Sequence, residues 1–144
     1  VVGDVAAVSI IPNPFQCFAD GIGRATYNLA SDSLFVALTN TKPDAINNKT
    51  LADIAQIAAG GGYSAGGNPA PRLSYAAGVL MLSNVTFAAT AALPTFQYAV
   101  LYDATPAAKP LIAFFDNGFP VSLLASDTFT VAFDQTNGAL VVGP

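Results

Sequence analysis

The chain has 144 residues, with 5 Lys and Arg against 9 Asp and Glu, a net charge of −4 and no His. A chain of this length reads as one domain over residues 1–144, burying about 70% of the surface its unfolded form exposes, so it needs no staples. Without His, Ser-His-Asp and Cys-His catalysis are excluded, and His-based zinc sites go with them.

Residues 1–11 are apolar apart from Gly3, Asp4 and Ser9. They read as a first strand or as an arm laid on a neighbour, and 1–15 is treated as an extended N-terminal segment. From 15 to 31 the pattern is irregular, with DGIG (20–23) reading as a turn. DSLFVALTN (32–40) is the first firm strand. Leu34, Val36 and Leu38 share one face and Phe35, Ala37 and Thr39 the other, as in a strand held between two layers. TKPDAINNKT is loop. TLADIAQIAA (50–59) has Leu51, Ile54, Ala55 and Ala58 at helical spacing, Thr50 as N-cap and Asp53 in the first turn, so a short helix is predicted there, stopped by Gly60.

The second half reads as strands at short intervals. GVLMLSNVTFAAT (78–90) has room for one long strand with Val79, Met81, Val85 and Phe87 on alternating sites. TFQYAVLYD (95–103) alternates Phe96, Tyr98, Val100 and Tyr102. PLIAFFDNG (110–118) ends on an Asn-Gly turn signal, and VSLLAS (121–126) is weaker. DTFTVAFD (127–134) puts Phe129, Val131 and Phe133 inward, and QTNG turns it back into ALVVG (139–143). Glu is absent and Lys and Arg are few, so the residues that fill exposed helix faces are missing. The prediction is a mainly β fold: a single antiparallel β-sandwich, jelly-roll or immunoglobulin-like, of about 7–9 strands with one short helix near 50–59.

Little in the sequence suggests chemistry. Cys17 is the one cysteine and reads as a small buried apolar residue. Asp103 and Asp116 could pair as glycosidase-type acids, but each sits beside turn residues where Asp is ordinary. No loop supplies the oxygen density of a calcium site. The sequons at Asn48 and Asn84 read as chance triplets. AAGGGYSAGGNPAP (58–71) has phosphate-loop glycines in the wrong order: they follow a helix, NPAP forbids a new one, and the next cation is Arg72. The loop reads instead as a flexible excursion anchored by Tyr63, lying over its own sandwich or onto a neighbouring subunit. No cofactor is expected. The acidic balance argues against nucleic acid, no apolar run approaches the ~18 residues of a membrane span, and the N-terminus lacks a basic leader region.

DSLFVALTNTKPD, LADIAQIAAGGGYSAGG, FQYAVLYDATPAAKPLIAFFDNG and DTFTVAFDQTNGALVV, in that order, closely resemble a family of small virion structural proteins of tailed bacteriophages. The resemblance covers residues 20–142 and rests on the ordered set rather than on one piece. It implies a structural protein without catalysis, most simply a capsid decoration (cement) protein. Its partners would be the major capsid protein and further copies of itself as dimer or trimer. Its place would be the outer capsid surface, after synthesis in the bacterial host cytoplasm. The low charge, 10% of residues, and mean hydropathy of +0.51 suit a partly covered surface. The alternatives are a tail- or fibre-associated component, or a carbohydrate-binding sandwich using Tyr63, Tyr75, Tyr98 and Tyr102 as a platform.

Two segments do not read as self-sufficient local structure, and the inter-subunit contacts are expected there. They are Val1, Val2, Val5, Val8, Ile10 and Phe15 in the N-terminal segment, and Gly61, Tyr63, Gly66 and Pro69 in the glycine-rich loop. Deleting residues 1–12 is then expected to weaken particle binding and leave the sandwich folded.

Overall fold

A computed structural model describes residues 11–142 and, as backbone, residues 3–7. The fold is mainly β, with eleven strands among these residues. They are β1 (Gly3–Ala7), β2 (Asn13–Pro14), β3 (Leu34–Thr39), β4 (Asn68–Pro69), β5 (Arg72–Ala76), β6 (Val79–Leu82), β7 (Val85–Ala88), β8 (Phe96–Asp103), β9 (Leu111–Val121), β10 (Asp127–Val131) and β11 (Leu140–Val141). They form a five-stranded sheet in the order β2-β9-β8-β3-β4 and two three-stranded sheets, β1-β10-β7 and β11-β6-β5.

The main core lies between one face of the five-stranded sheet and the two smaller sheets. Leu34, Val36 and Leu38 of β3 meet Leu80 and Leu82 of β6, Phe87 of β7 and Phe129 and Val131 of β10 there. Edge-on ring pairs join the layers: Phe96–Phe129 at 4.9 Å and Phe115–Phe133 at 5.5 Å between centroids. Each such buried ring contributes about 1.5–3 kcal/mol over its exposed state. The opposite face of the large sheet carries a second cluster built on Phe15, Ala37, Leu51, Ile54, Tyr98, Val100, Tyr102 and Phe114. The two apolar faces predicted for β3 are therefore both used, Phe35 packing against the second cluster.

Several local expectations are corrected. The predicted helix at 50–59 is a single 3₁₀ turn, Leu51–Asp53. Its cap is as expected, since the Asp53 carboxylate accepts the Thr50 and Lys49 N–H groups. Beyond it Ile54 is extended (φ −94°, ψ 127°). Gln56 bridges Thr39, and the Ile57 N–H donates to the Leu38 carbonyl at 3.1 Å. Pairing along the β3 edge overrides helical spacing here. The one α-helix described, α1 (Gln16–Gly23), lies where a turn was expected. Two glycines, no side-chain cap and no acidic residue in the first turn hide it. It forms against Tyr27, whose ring lies 2.3 Å from where a Cβ on Gly21 would sit.

The stretch 78–90 is two strands in two sheets. At the break the Ser83 N–H donates to the Pro71 carbonyl and Asn84 Oδ1 accepts the Phe133 N–H. Inward positions shift from Leu80 and Leu82 to Val85 and Phe87, so Val79 and Met81 are half-exposed. The Asn-Gly at 117–118 does not end its strand. β9 steps out of register between Asp116, opposite Tyr98, and Val121, opposite Phe96, then resumes. β11 pairs with β6 and not with β10. β1 runs parallel to β10, an exception to the antiparallel expectation. Almost the whole chain connects these two strands, so no tight turn dictates their direction.

Candidate functional site

The glycine-rich segment lies over its own sandwich. Gly60, Gly61, Gly62, Gly66 and Gly67 all have positive φ, and Gly60 and Tyr63 exchange two backbone hydrogen bonds in a tight turn. The Tyr63 side chain passes inward, where its hydroxyl donates to Gln56 Oε1 at 2.7 Å and accepts the Leu38 N–H at 3.1 Å. Burial pushes this hydroxyl up to about 12. Gln56 Oε1 also accepts the Gly66 N–H, and the Tyr102 hydroxyl donates to the Gly66 carbonyl at 2.6 Å. The amides of Gly60, Tyr63, Gly66 and Gly67 are therefore all engaged internally. That is not a phosphate cradle, which needs convergent unengaged N–H groups. The segment covers the edge of β3 beyond the two residues that β4 pairs, a common way to blunt a sheet edge.

The predicted contact residues separate accordingly. Phe15 is 1% and Tyr63 2% exposed, so their side chains fill the protein's own core and offer nothing to a neighbour. Gly61 and Gly66 are half-buried and Pro69, in β4, is exposed. Val5 lies within β1, which is paired to β10; Val1, Val2, Val8 and Ile10 fall outside the described residues.

Sequence reasoning missed two of the exposed apolar side chains, Phe119 and Leu124. Residues 117–120 form an ordered bulge at the register break of β9: Asp116 Oδ1 accepts the Gly118 N–H at 2.7 Å and Gln97 Nε2 at 3.0 Å, and Asn117 Nδ2 donates to the Phe119 carbonyl at 2.9 Å. The result is Phe119, 60% exposed. Five residues on, Leu124 is 63% exposed, on a turn closed by its N–H to Asp127 Oδ2 and by the Asp127 N–H to its carbonyl. Val121 and Leu123 between them are buried and anchor the connection. The signal in the sequence was Asn-Gly-Phe-Pro, a lone aromatic among turn residues.

Asp103 and Asp116 do not meet. Asp103 lies opposite Leu34 and Asp116 opposite Tyr98, near opposite ends of β8. Asp103 instead faces Asp32, and burial followed by that neighbour raises its carboxyl to about 7. Cys17 is half-buried, with its Sγ 3.5 Å from the Lys49 and Leu111 carbonyl oxygens. Tyr63, Tyr98 and Tyr102 are buried, leaving Tyr75 partly exposed, so the four tyrosines form no sugar platform. Among the described residues no three His, Cys, Asp or Glu side chains gather as metal ligands, and no helix is long and apolar enough to cross a membrane. Comparison with protein-family models, with curated proteins and with solved structures finds no match.

Proposed function

We propose that this chain is a non-enzymatic structural protein of a tailed-bacteriophage virion, binding the outside of the major capsid shell as a decoration protein. The observation that carries the reading is the ordered set of motifs over residues 20–142, whose resemblance spans both halves of the sandwich. Two features of the surface support it. Charged residues are sparse, at 10% of the chain, and Phe119 and Leu124 are exposed, one at the hydrogen-bonded bulge of β9 and one on the hydrogen-bonded turn 124–127.

An aromatic side chain on an ordered backbone loses little entropy on docking, which makes Phe119 the natural anchor of a modest interface. An interface of standard size removes about 800 Å² from each partner. Many such contacts per particle stabilise the shell by mass action without any catalytic group. Phe119, Leu124 and Pro69 replace Phe15 and Tyr63 as the expected contacts, and self-association as dimer or trimer belongs to the same proposal.

The test is binding to emptied shells of the encoding phage from which this protein has been removed. The wild-type chain should rebind in saturable stoichiometry while showing no selective signal on a glycan array. Failure to bind shells, or a selective glycan signal, contradicts the proposal.

A further inference from the structure

Asp103 ends β8 and is 0% exposed. Its Oδ1 accepts the Thr105 N–H at 3.1 Å, and its Oδ2 is buried with no donor in reach. The side chain that this carboxyl meets is another carboxyl, that of Asp32. Two carboxylates are acceptors alone, so they can bond one another once one of them carries a proton.

The pair sits where three segments meet. Asp32 belongs to the turn 28–33: its Oδ2 accepts the Asn28 N–H at 3.0 Å, and its N–H donates to the Asn28 carbonyl. Arg72, the first residue of β5, donates from Nη1 to the Asp32 carbonyl at 2.7 Å. The Ser33 N–H reaches Thr105 Oγ1 at 2.8 Å, and the Ala104 N–H the Ser33 carbonyl at 2.8 Å. A cavity of about 220 Å³ lies on the Asp32 side, lined by Ser31, Asp32, Ser33, Pro71 and Arg72 among others.

We propose that Asp32 and Asp103 form a proton-operated clasp: one shared proton closes the 28–33 turn and the start of β5 onto the end of β8, and losing it loosens them.

The nearest cation, Arg72, keeps its charge but is held on the Asp32 backbone carbonyl, and the one ion pair among the described residues is Arg24–Asp20, so neither carboxylate of the pair is salt-bridged. Tyr27 approaches from the segment after α1, but its hydroxyl donates to the Leu111 carbonyl at 2.5 Å. Cys17 contacts that hydroxyl. From β3 and β9 come Leu34 and Leu111, both apolar, and Lys109 in the β8–β9 connection is exposed. A bridging cation would want further oxygen ligands, and among the described residues no third carboxylate joins the pair. The carboxyl of Asp103 is raised to about 7, which sets the working range near neutrality.

The experiment is carboxyl-carbon NMR titration of the full chain with amide exchange at Asn28, Ser33 and Thr105, from pH 5.5 to 8.5. Wild type, Asp103→Asn and Asp32→Asn are compared, each with chelator and with millimolar calcium. In the wild type the Asp103 carboxyl should titrate near neutrality, and protection of the three amides, corrected for intrinsic exchange, should fall about tenfold across the range. Asp103→Asn should hold protection constant, and Asp32→Asn should move the Asp103 titration toward acid. Asp103 titrating in the ordinary carboxylate range, or protection independent of pH, would overturn the clasp. So would calcium restoring protection at pH 8.5, which would make the pair a cation site. Should either variant fail to fold, the wild-type titration decides.

Discussion

Tyr63 and Gln56 are joined by a 2.7 Å hydrogen bond that closes the glycine-rich segment onto the edge of β3. Around it, the Leu38 N–H donates to the Tyr63 hydroxyl and the Gly66 N–H to Gln56 Oε1. Tyr63→Phe strips the buried Leu38 amide of its acceptor and is expected to cost about 1–3 kcal/mol. Gln56→Ala should cost a similar amount, and the double variant less than the sum because both changes break one network. Urea unfolding of the three variants measures this; additive losses would show that the network is not coupled.

Two glycines of the same backbone class should respond very differently to alanine. A Cβ on Gly67 (φ +78°) would sit 1.7 Å from the Val36 carbonyl oxygen, inside the sheet edge. Gly118 (φ +92°) has open space around it. Gly118→Ala should cost about 1–2 kcal/mol, the strain of a left-handed residue. Gly67→Ala should add backbone displacement and exceed about 4 kcal/mol, the range of severe lesions. Equal unfolding midpoints for the two variants would contradict the close packing of the segment on β3.

Stability should peak in weak acid. The Asp44, Asp53 and Asp134 carboxyls are held below the usual range by hydrogen bonds from Asn47, from Lys49 and Thr50, and from Asn137 and Thr136 respectively. Their contribution is present above about pH 3.9, the ordinary value for Asp, and is lost as pH falls below it. Asp103 is shifted the other way, to about 7, so its contribution is full at low pH and is lost as pH rises from the ordinary range through 7. Urea midpoints at pH 3, 5 and 8 should be highest at 5. In Asp103→Asn the decline from 5 to 8 should shrink.

Phe119→Ser and Leu124→Ser remove exposed apolar surface and should change unfolding free energy by no more than about 0.5 kcal/mol. Together they should weaken binding to emptied shells by about tenfold or more, as expected for an aromatic anchor. Unchanged shell binding would place the interface elsewhere on the surface.

The strands with two-residue alternation were legible in the sequence. Phe129, Val131 and Phe133 face inward as their spacing implies, and β3 shows both of its apolar faces buried. Tertiary contacts hid the rest. Residues 54–57 have helical spacing but pair with the edge of β3, and α1 is made possible by a glycine lying against the Tyr27 ring. Parity alone could not find the sheet switch at Ser83–Asn84, because Leu80 and Val85 are both apolar and both buried. The Asp32–Asp103 pair is 71 positions apart in sequence and meets through pairing of the chain around β3 and β8. The glycine-rich stretch invited a ligand or a neighbour, and its Tyr63 points inward instead.

The most direct measurement of the central claim is the copy number of this chain in purified virions of the encoding phage, quantified by mass spectrometry against the major capsid protein. The proposal predicts hundreds of copies, equal to the major capsid protein or a simple fraction of it. A few to a few dozen copies would move the protein to the tail or its fibres. Absence from the particle would contradict the virion assignment altogether.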